Sequence, residues 1–128
     1  MNKMSPELHG ILDYTTVALL LLAPPVFQFG DSAYIFTYLL ATVHFLVTLS
    51  TNFPAGVFKF IPLRVHGLIE LVVSVALVSV GIWFRNHGDT IASYFYLGFS
   101  VVLFIVWLVS DYKTVLRKPS GEKYKNFK

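Results

Sequence analysis

The sequence predicts an all-α integral membrane protein, a four-helix bundle made of two tandem transmembrane hairpins. Three observations carry this. The 128 residues are 55% hydrophobic and 13% charged, where soluble domains carry roughly a quarter charged residues, and the mean hydropathy is +0.66. The apolar residues fall into four blocks, each near the ~20 residues that cross a bilayer. A short motif also occurs twice: His9-Gly10-Ile11-Leu12-Asp13 returns as His66-Gly67-Leu68-Ile69-Glu70, 57 positions later (66 − 9).

The first span is expected from about Leu8 to Phe29. Its apolar stretch Val17 to Ala23 is short enough for a secretory signal. However, the stretch before it holds Glu7 and Asp13 against a single Lys3, the wrong charge for an n-region, so the span is read as retained. Gly30-Asp31-Ser32 turns the chain into a second span, about Tyr34 to Phe53. A longer connection, Asn52 to Ile61, holds Pro54, Gly56 and Lys59 and leads to a third span, about Pro62 to Phe84. Asn86-His87-Gly88-Asp89 turns into the fourth, about Ile91 to Tyr112. The transmembrane domain is thus residues 1–112, with one repeat at about 8–53 and another at about 65–112. A basic tail, 113–128, is expected in solution or on the lipid surface.

The duplication reaches beyond the histidine motif. Gly30-Asp31 matches Gly88-Asp89 and Tyr38-Leu39 matches Tyr96-Leu97 at offset 58, and Thr51-Asn52-Phe53 matches Ser110-Asp111-Tyr112 at offset 59. Two helices per unit place both copies the same way round in the membrane, related by an axis along its normal.

Orientation follows from the basic residues. Lys3, Lys59, Arg64, Lys113, Arg117, Lys118, Lys123, Lys125 and Lys128 fall on one side and Arg85 alone on the other. The positive-inside rule then puts both termini in the cytoplasm. The net charge of +3 reflects that asymmetry and attraction to the bilayer, which is the expected partner. No nucleic-acid-binding pattern is present.

The polar groups converge on the cytoplasmic end. His9 and Asp13 share a helix face at i, i+4, as do His66 and Glu70. Asn52 and Asp111 fall at the ends of the second and fourth spans, and His44 lies two turns inside the second. This cluster is the expected site for an ion, proton or ligand, because acids one turn inside an apolar helix are costly unless partnered. The plainer reading also stands. Asp13 and Glu70 would cap helices or pair with His9, His66, Arg64 or Lys59. His44 would satisfy a backbone carbonyl, and Gly10 and Gly67 would allow close helix contact.

As a metal set, His9, Asp13, His66 and Glu70 supply two nitrogens and two carboxylates, which suits a divalent transition ion such as zinc, iron or manganese. Carboxylate-rich bundles use a related acid-and-histidine device with different spacing. No nucleophile elbow, phosphate-binding glycine loop or His-Glu-x-x-His motif occurs. The absence of cysteine excludes disulfides, a thiol nucleophile and thiolate ligands. Trp83, Trp107, Tyr94, Tyr96 and Tyr112 fall near expected helix ends, where interfacial anchoring accounts for them. Asp31, Arg85, His87 and Asp89 fall in hairpin loops, where solvation does.

The run Phe60-Ile61-Pro62-Leu63-Arg64-Val65-His66-Gly67-Leu68-Ile69-Glu70 resembles bacterial membrane proteins of the SPW-repeat family. So does His9-Gly10-Ile11-Leu12-Asp13-Tyr14 leading into Leu21-Leu22-Ala23-Pro24-Pro25-Val26-Phe27. The namesake Ser-Pro-Trp is imperfect: Ala23-Pro24-Pro25 stands in the first repeat and Val80-Gly81-Ile82 in the second, with Trp83 one place late. The resemblance implies paired, duplicated helices in a bacterial cytoplasmic (inner) membrane and carries no activity. The expected function is a small channel- or transporter-like protein for protons, ions or small solutes. One such unit is thin, so a path would need a homo-oligomer. The rivals are a metal-dependent membrane enzyme using His9, Asp13, His66 and Glu70, and a scaffold or lipid-binding subunit without chemistry.

Overall fold

The computed structural model describes residues 3–112 and, in the tail, the backbone of 114–115 and 125–126. It contains four helices, α1 (Pro6–Phe27), α2 (Asp31–Ser50), α3 (Leu63–Asn86) and α4 (Thr90–Val109). Each is long and apolar enough to cross a membrane. At 1.5 Å per residue, the 20 residues of α2 or α4 span about 30 Å, the thickness of the hydrocarbon core. Thr114–Val115 pairs antiparallel with Lys125–Asn126; the remainder of the expected basic tail lies outside the described residues.

α1 packs along α2, α3 packs along α4, and α2 meets α3. The helices start where their caps allow. Ser5 accepts from the Leu8 amide at 3.3 Å, and Pro6 follows in the first turn, where its missing N–H costs nothing. Asp89 was expected to be merely solvated, but it has two structural roles. One carboxylate oxygen caps α4 at the Ala92 amide, 3.0 Å away, and the other accepts from the Gly30 amide at 2.8 Å, tying the two hairpin turns together.

α2 and α4 end three residues earlier than the apolar pattern suggests. Thr51 and Ser110 are extended, with ψ of 142° and 147°. Their hydroxyls donate back to the Val47 and Val106 carbonyls, at 2.6 and 2.5 Å. Hydroxyl back-bonding of this kind competes with the backbone ladder and favours a helix end. The chain beyond each end folds over the bundle, which buries Phe53 completely.

The interior is narrow and lined by small or hydroxylated residues, among them Ala23, Ala33, Ala92, Ser74 and Ser100, around Leu20, Leu77 and Phe84. Small residues let apolar helices approach closely, since lipid supplies no hydrophobic drive for association. Tyr96 is not an interfacial anchor: it is fully buried, 2.6 Å from the Thr37 hydroxyl. Thr37 gives its own hydrogen to the Ala33 carbonyl, so Tyr96 is the donor. Large apolar side chains such as Ile11, Leu22, Ile35, Leu39, Val75 and Val101 face outward, as a lipid-facing surface requires.

Candidate metal centre

His9 and Asp13 occupy the first two turns of α1, and His66 and Glu70 those of α3. All four side chains turn inward and meet. Their exposures are 1%, 3%, 1% and 4%. Neither carboxylate is a helix cap; Ser5 does that for α1. Lys59 partners neither of them and donates instead to the Phe53 carbonyl at 3.2 Å.

The facing atoms are His9 Nε2, His66 Nε2 and carboxylate oxygens of Asp13 and Glu70. His9 Nε2 lies 3.4 Å from Asp13 Oδ1 and 3.3 Å from Glu70 Oε1. His66 Nε2 lies 3.2 Å from Asp13 Oδ2 and 3.8 Å from Glu70 Oε1. One ligand atom from each of the four can be chosen so that all lie within 4.8 Å of one another. Both Nε2 atoms, Asp13 Oδ2 and Glu70 Oε1 are buried without a hydrogen-bond partner among the described residues.

The outward sides of the rings explain this. His9 Nδ1 is 2.7 Å from the Ser110 hydroxyl, and His66 Nδ1 is 2.8 Å from the Thr51 hydroxyl. Both hydroxyl hydrogens are already committed to the carbonyls of Val106 and Val47. Each hydroxyl therefore accepts, and each imidazole donates from Nδ1. In the neutral ring that leaves the lone pair on Nε2, aimed at the carboxylates. In that tautomer lone pairs meet lone pairs in a buried site, an arrangement relieved by a cation between them or by a proton on each Nε2.

Glu70 is held from behind. The Tyr112 hydroxyl donates to its Oε2, leaving Oε1 to face the cluster. Burial and the Glu70 carboxylate both push the Tyr112 hydroxyl above its ordinary pKa, so it remains a donor. Tyr112 lies beyond the end of α4 and packs on His9 with ring centroids 5.5 Å apart. Gly67 makes room for it, since a Cβ there would stand 2.9 Å from the Tyr112 ring. Gly10 likewise makes room for Ala55 and Phe53. Both glycines thus admit the folded-over chain ends, where helix–helix contact was expected.

The remaining expected site residues fall outside the four. His44 on α2 reaches the rim, its Nε2 buried, unpartnered and 3.8 Å from Asp13 Oδ1. Asn52 lines a separate cavity with Lys59 and Arg64. Asp111 gives its amide to the Met4 carbonyl at 3.1 Å and takes no ligand position in the cluster. His87 stacks on Trp83 at 3.9 Å, far from this end. Sequence reasoning missed Thr51, Ser110 and Tyr112 as parts of the site. The signal available was the matched pair Thr51-Asn52-Phe53 and Ser110-Asp111-Tyr112.

No protein-family model, no curated protein and no solved structure matches this chain.

Proposed function

We propose that this multi-pass membrane protein is a metalloprotein that holds one divalent transition ion on His9, Asp13, His66 and Glu70. The single observation that carries the reading is the convergence of two imidazole Nε2 atoms and two carboxylate oxygens, all buried and unpartnered among the described residues. Tetrahedral coordination with bonds of about 2.0–2.1 Å sets its ligands about 3.3 Å apart. With Asp13 Oδ2 as its ligand atom, the edges to His66 Nε2 and from Glu70 Oε1 to His9 and His66 Nε2 are 3.2, 3.3 and 3.8 Å, and one atom from each residue can be chosen with all four within 4.8 Å of one another. Two carboxylates and two neutral imidazoles balance a charge of +2. Zinc, iron and manganese fit such a donor set. The hydroxyl behind each imidazole and the phenol behind Glu70 supply the outer shell that orients metal ligands.

Within this reading the protein is a metal-dependent membrane enzyme reached from the bilayer. A small cleft between α2 and α3, walled by Leu40, Val43, Val47 and Val73, leads past His44 to His66 and Glu70. Four protein ligands close a tetrahedral site, so a substrate would bind the ion only by raising its coordination to five, on the side where His44 stands at the rim. The rival reading, an oligomeric proton or cation pathway, draws on the same cluster, because two protonated imidazoles balance the carboxylates as well as one divalent ion does.

We further infer that the two hairpins are copies of one unit. α1 and α3 start 57 positions apart (63 − 6), and α2 and α4 start 59 apart (90 − 31), close to the offsets of the sequence matches. Membership of the SPW-repeat family, a bacterial inner-membrane location and cytoplasmic termini belong to the same proposal, resting on the motif runs and on the distribution of basic residues.

Elemental analysis of the purified protein tests the metal reading. One equivalent of a transition metal, lost in His9→Ala/His66→Ala, is the expected result. A wild-type protein that carries none and takes up none would overturn it.

A further inference from the structure

The cleft between α2 and α3 is narrow and aliphatic until its inner end. Leu40, Val43, Val47, Ile69, Val73 and Leu103 wall it, and His44, His66 and Glu70 close it. Val43, 56% exposed, puts its mouth on the lipid-facing side, and Leu103, 8% exposed, is the most buried of the aliphatic walls. The volume is about 50 Å3. A water molecule needs about 10–15 Å3 of such space, so the cleft holds about three to five atoms of that size.

Size, polarity and charge narrow the guest. Aliphatic walls give water few partners, and apolar cavities stay dry. A divalent ion on Asp13 and Glu70 leaves the cluster neutral, so an anion would add an uncompensated charge to a buried site. What fits is small, neutral and apolar, a molecule that dissolves in the bilayer and enters from its side.

At the inner end the two repeats differ. His9 and Asp13 have counterparts in His66 and Glu70, but the offset of 59 that relates Thr51 to Ser110 takes His44 to Leu103 (103 − 44). His44 Nε2 is buried without a hydrogen-bond partner among the described residues, 3.8 Å from Asp13 Oδ1. It can give or take one hydrogen bond with a guest that reaches the cluster.

We propose that this cleft binds an apolar diatomic molecule, dioxygen or nitric oxide in kind, drawn from the bilayer and held against His44 beside the cluster. The cleft stands on its own geometry; contact between its guest and an ion rests on the metal reading.

The test uses the full chain in lipid nanodiscs with methyl-labelled leucine and valine. Dissolved dioxygen is paramagnetic and broadens the methyl resonances it approaches. In metal-free protein the Leu103 methyls should broaden as strongly as the lipid-facing ones of Val43, while those of Leu77, 2% exposed, should not. Val47→Phe, which fills the cleft, should return Leu103 to the level of Leu77; Val73→Phe serves the same purpose if that variant does not fold. In protein loaded with iron(II), nitric oxide should give the electron paramagnetic resonance signal of an iron nitrosyl. Val47→Phe should lose that signal, and His44→Leu should need about two- to tenfold more nitric oxide, the worth of one hydrogen bond. Azide, small but anionic, should not displace it. Leu103 methyls no broader than those of Leu77, or broadening that persists with the cleft filled, would overturn the proposal. Iron-loaded protein that gives no nitrosyl would overturn it too, with the metal reading intact. Protein that takes up no ion would overturn the metal reading instead, and the methyl broadening would still decide the cleft.

Discussion

His9 and Ser110 lie 101 positions apart in the chain and 2.7 Å apart in the fold. His66 is held by Thr51 in the same way, so the exchange is crossed: each histidine is fixed by the hydroxyl that ends the other hairpin's second helix. The two hairpins therefore cannot separate without freeing both rings. The hydroxyls set the tautomer, and through it the lone pairs that face Asp13 and Glu70.

Removing both hydroxyls should damage the site more than the fold. Thr51→Ala/Ser110→Ala is expected to weaken metal binding about 10- to 100-fold, the usual cost of losing an outer-shell partner. Thr51→Ser, which keeps the oxygen, should restore most of it. Competitive chelator titrations on the three proteins would decide; equal affinities would detach the hydroxyls from the site.

Gly67→Ala places a methyl group against the Tyr112 ring and should push it off Glu70. Overpacking of this kind costs about 1–3 kcal/mol. The variant should melt lower and bind metal more weakly, whereas Gly98→Ala, which meets nothing within 4 Å, should do neither. Parallel melts with metal titration of both variants check this.

The raised Tyr112 hydroxyl predicts a pH signature in the metal-stripped protein. A group whose folded pKa is raised stabilises the fold fully below its unfolded value, near 10 for tyrosine, and loses that contribution as pH rises through the folded value. The stability advantage of wild type over Tyr112→Phe should be constant from neutrality to about pH 10 and shrink above it. Denaturant melts across that range measure it; an advantage that vanishes below pH 9 would contradict the assignment.

Topology follows from the basic residues. Reporters fused after Lys128 and inserted at Gly88 should report opposite compartments, with Lys128 cytoplasmic. The same compartment for both would refute four spans.

Much of the fold was legible because it is local. Four apolar blocks predict four spans, and the i, i+4 spacing places each histidine beside its own acid. The meeting of the two pairs is a tertiary fact, with His66 3.2 Å from Asp13 and His9 3.3 Å from Glu70, and neither contact follows from spacing within one helix. The helix ends misled for a physical reason. Apolar character continues through Phe53 and Tyr112, but the back-bonded Thr51 and Ser110 stop the helices first and fold those aromatic residues inward. Tyr96 and Asp89 were read from their positions near loops, whereas their partners, Thr37 and Gly30, lie in the other hairpin.

The most direct test of the central claim is the metal content of the intact protein, measured alongside Asp13→Asn/Glu70→Gln, which preserves size and removes both charges. One divalent ion per wild-type chain, absent from a variant that still folds, is the predicted result. Wild-type protein that folds with no ion and binds none from zinc, iron(II) or manganese would contradict it.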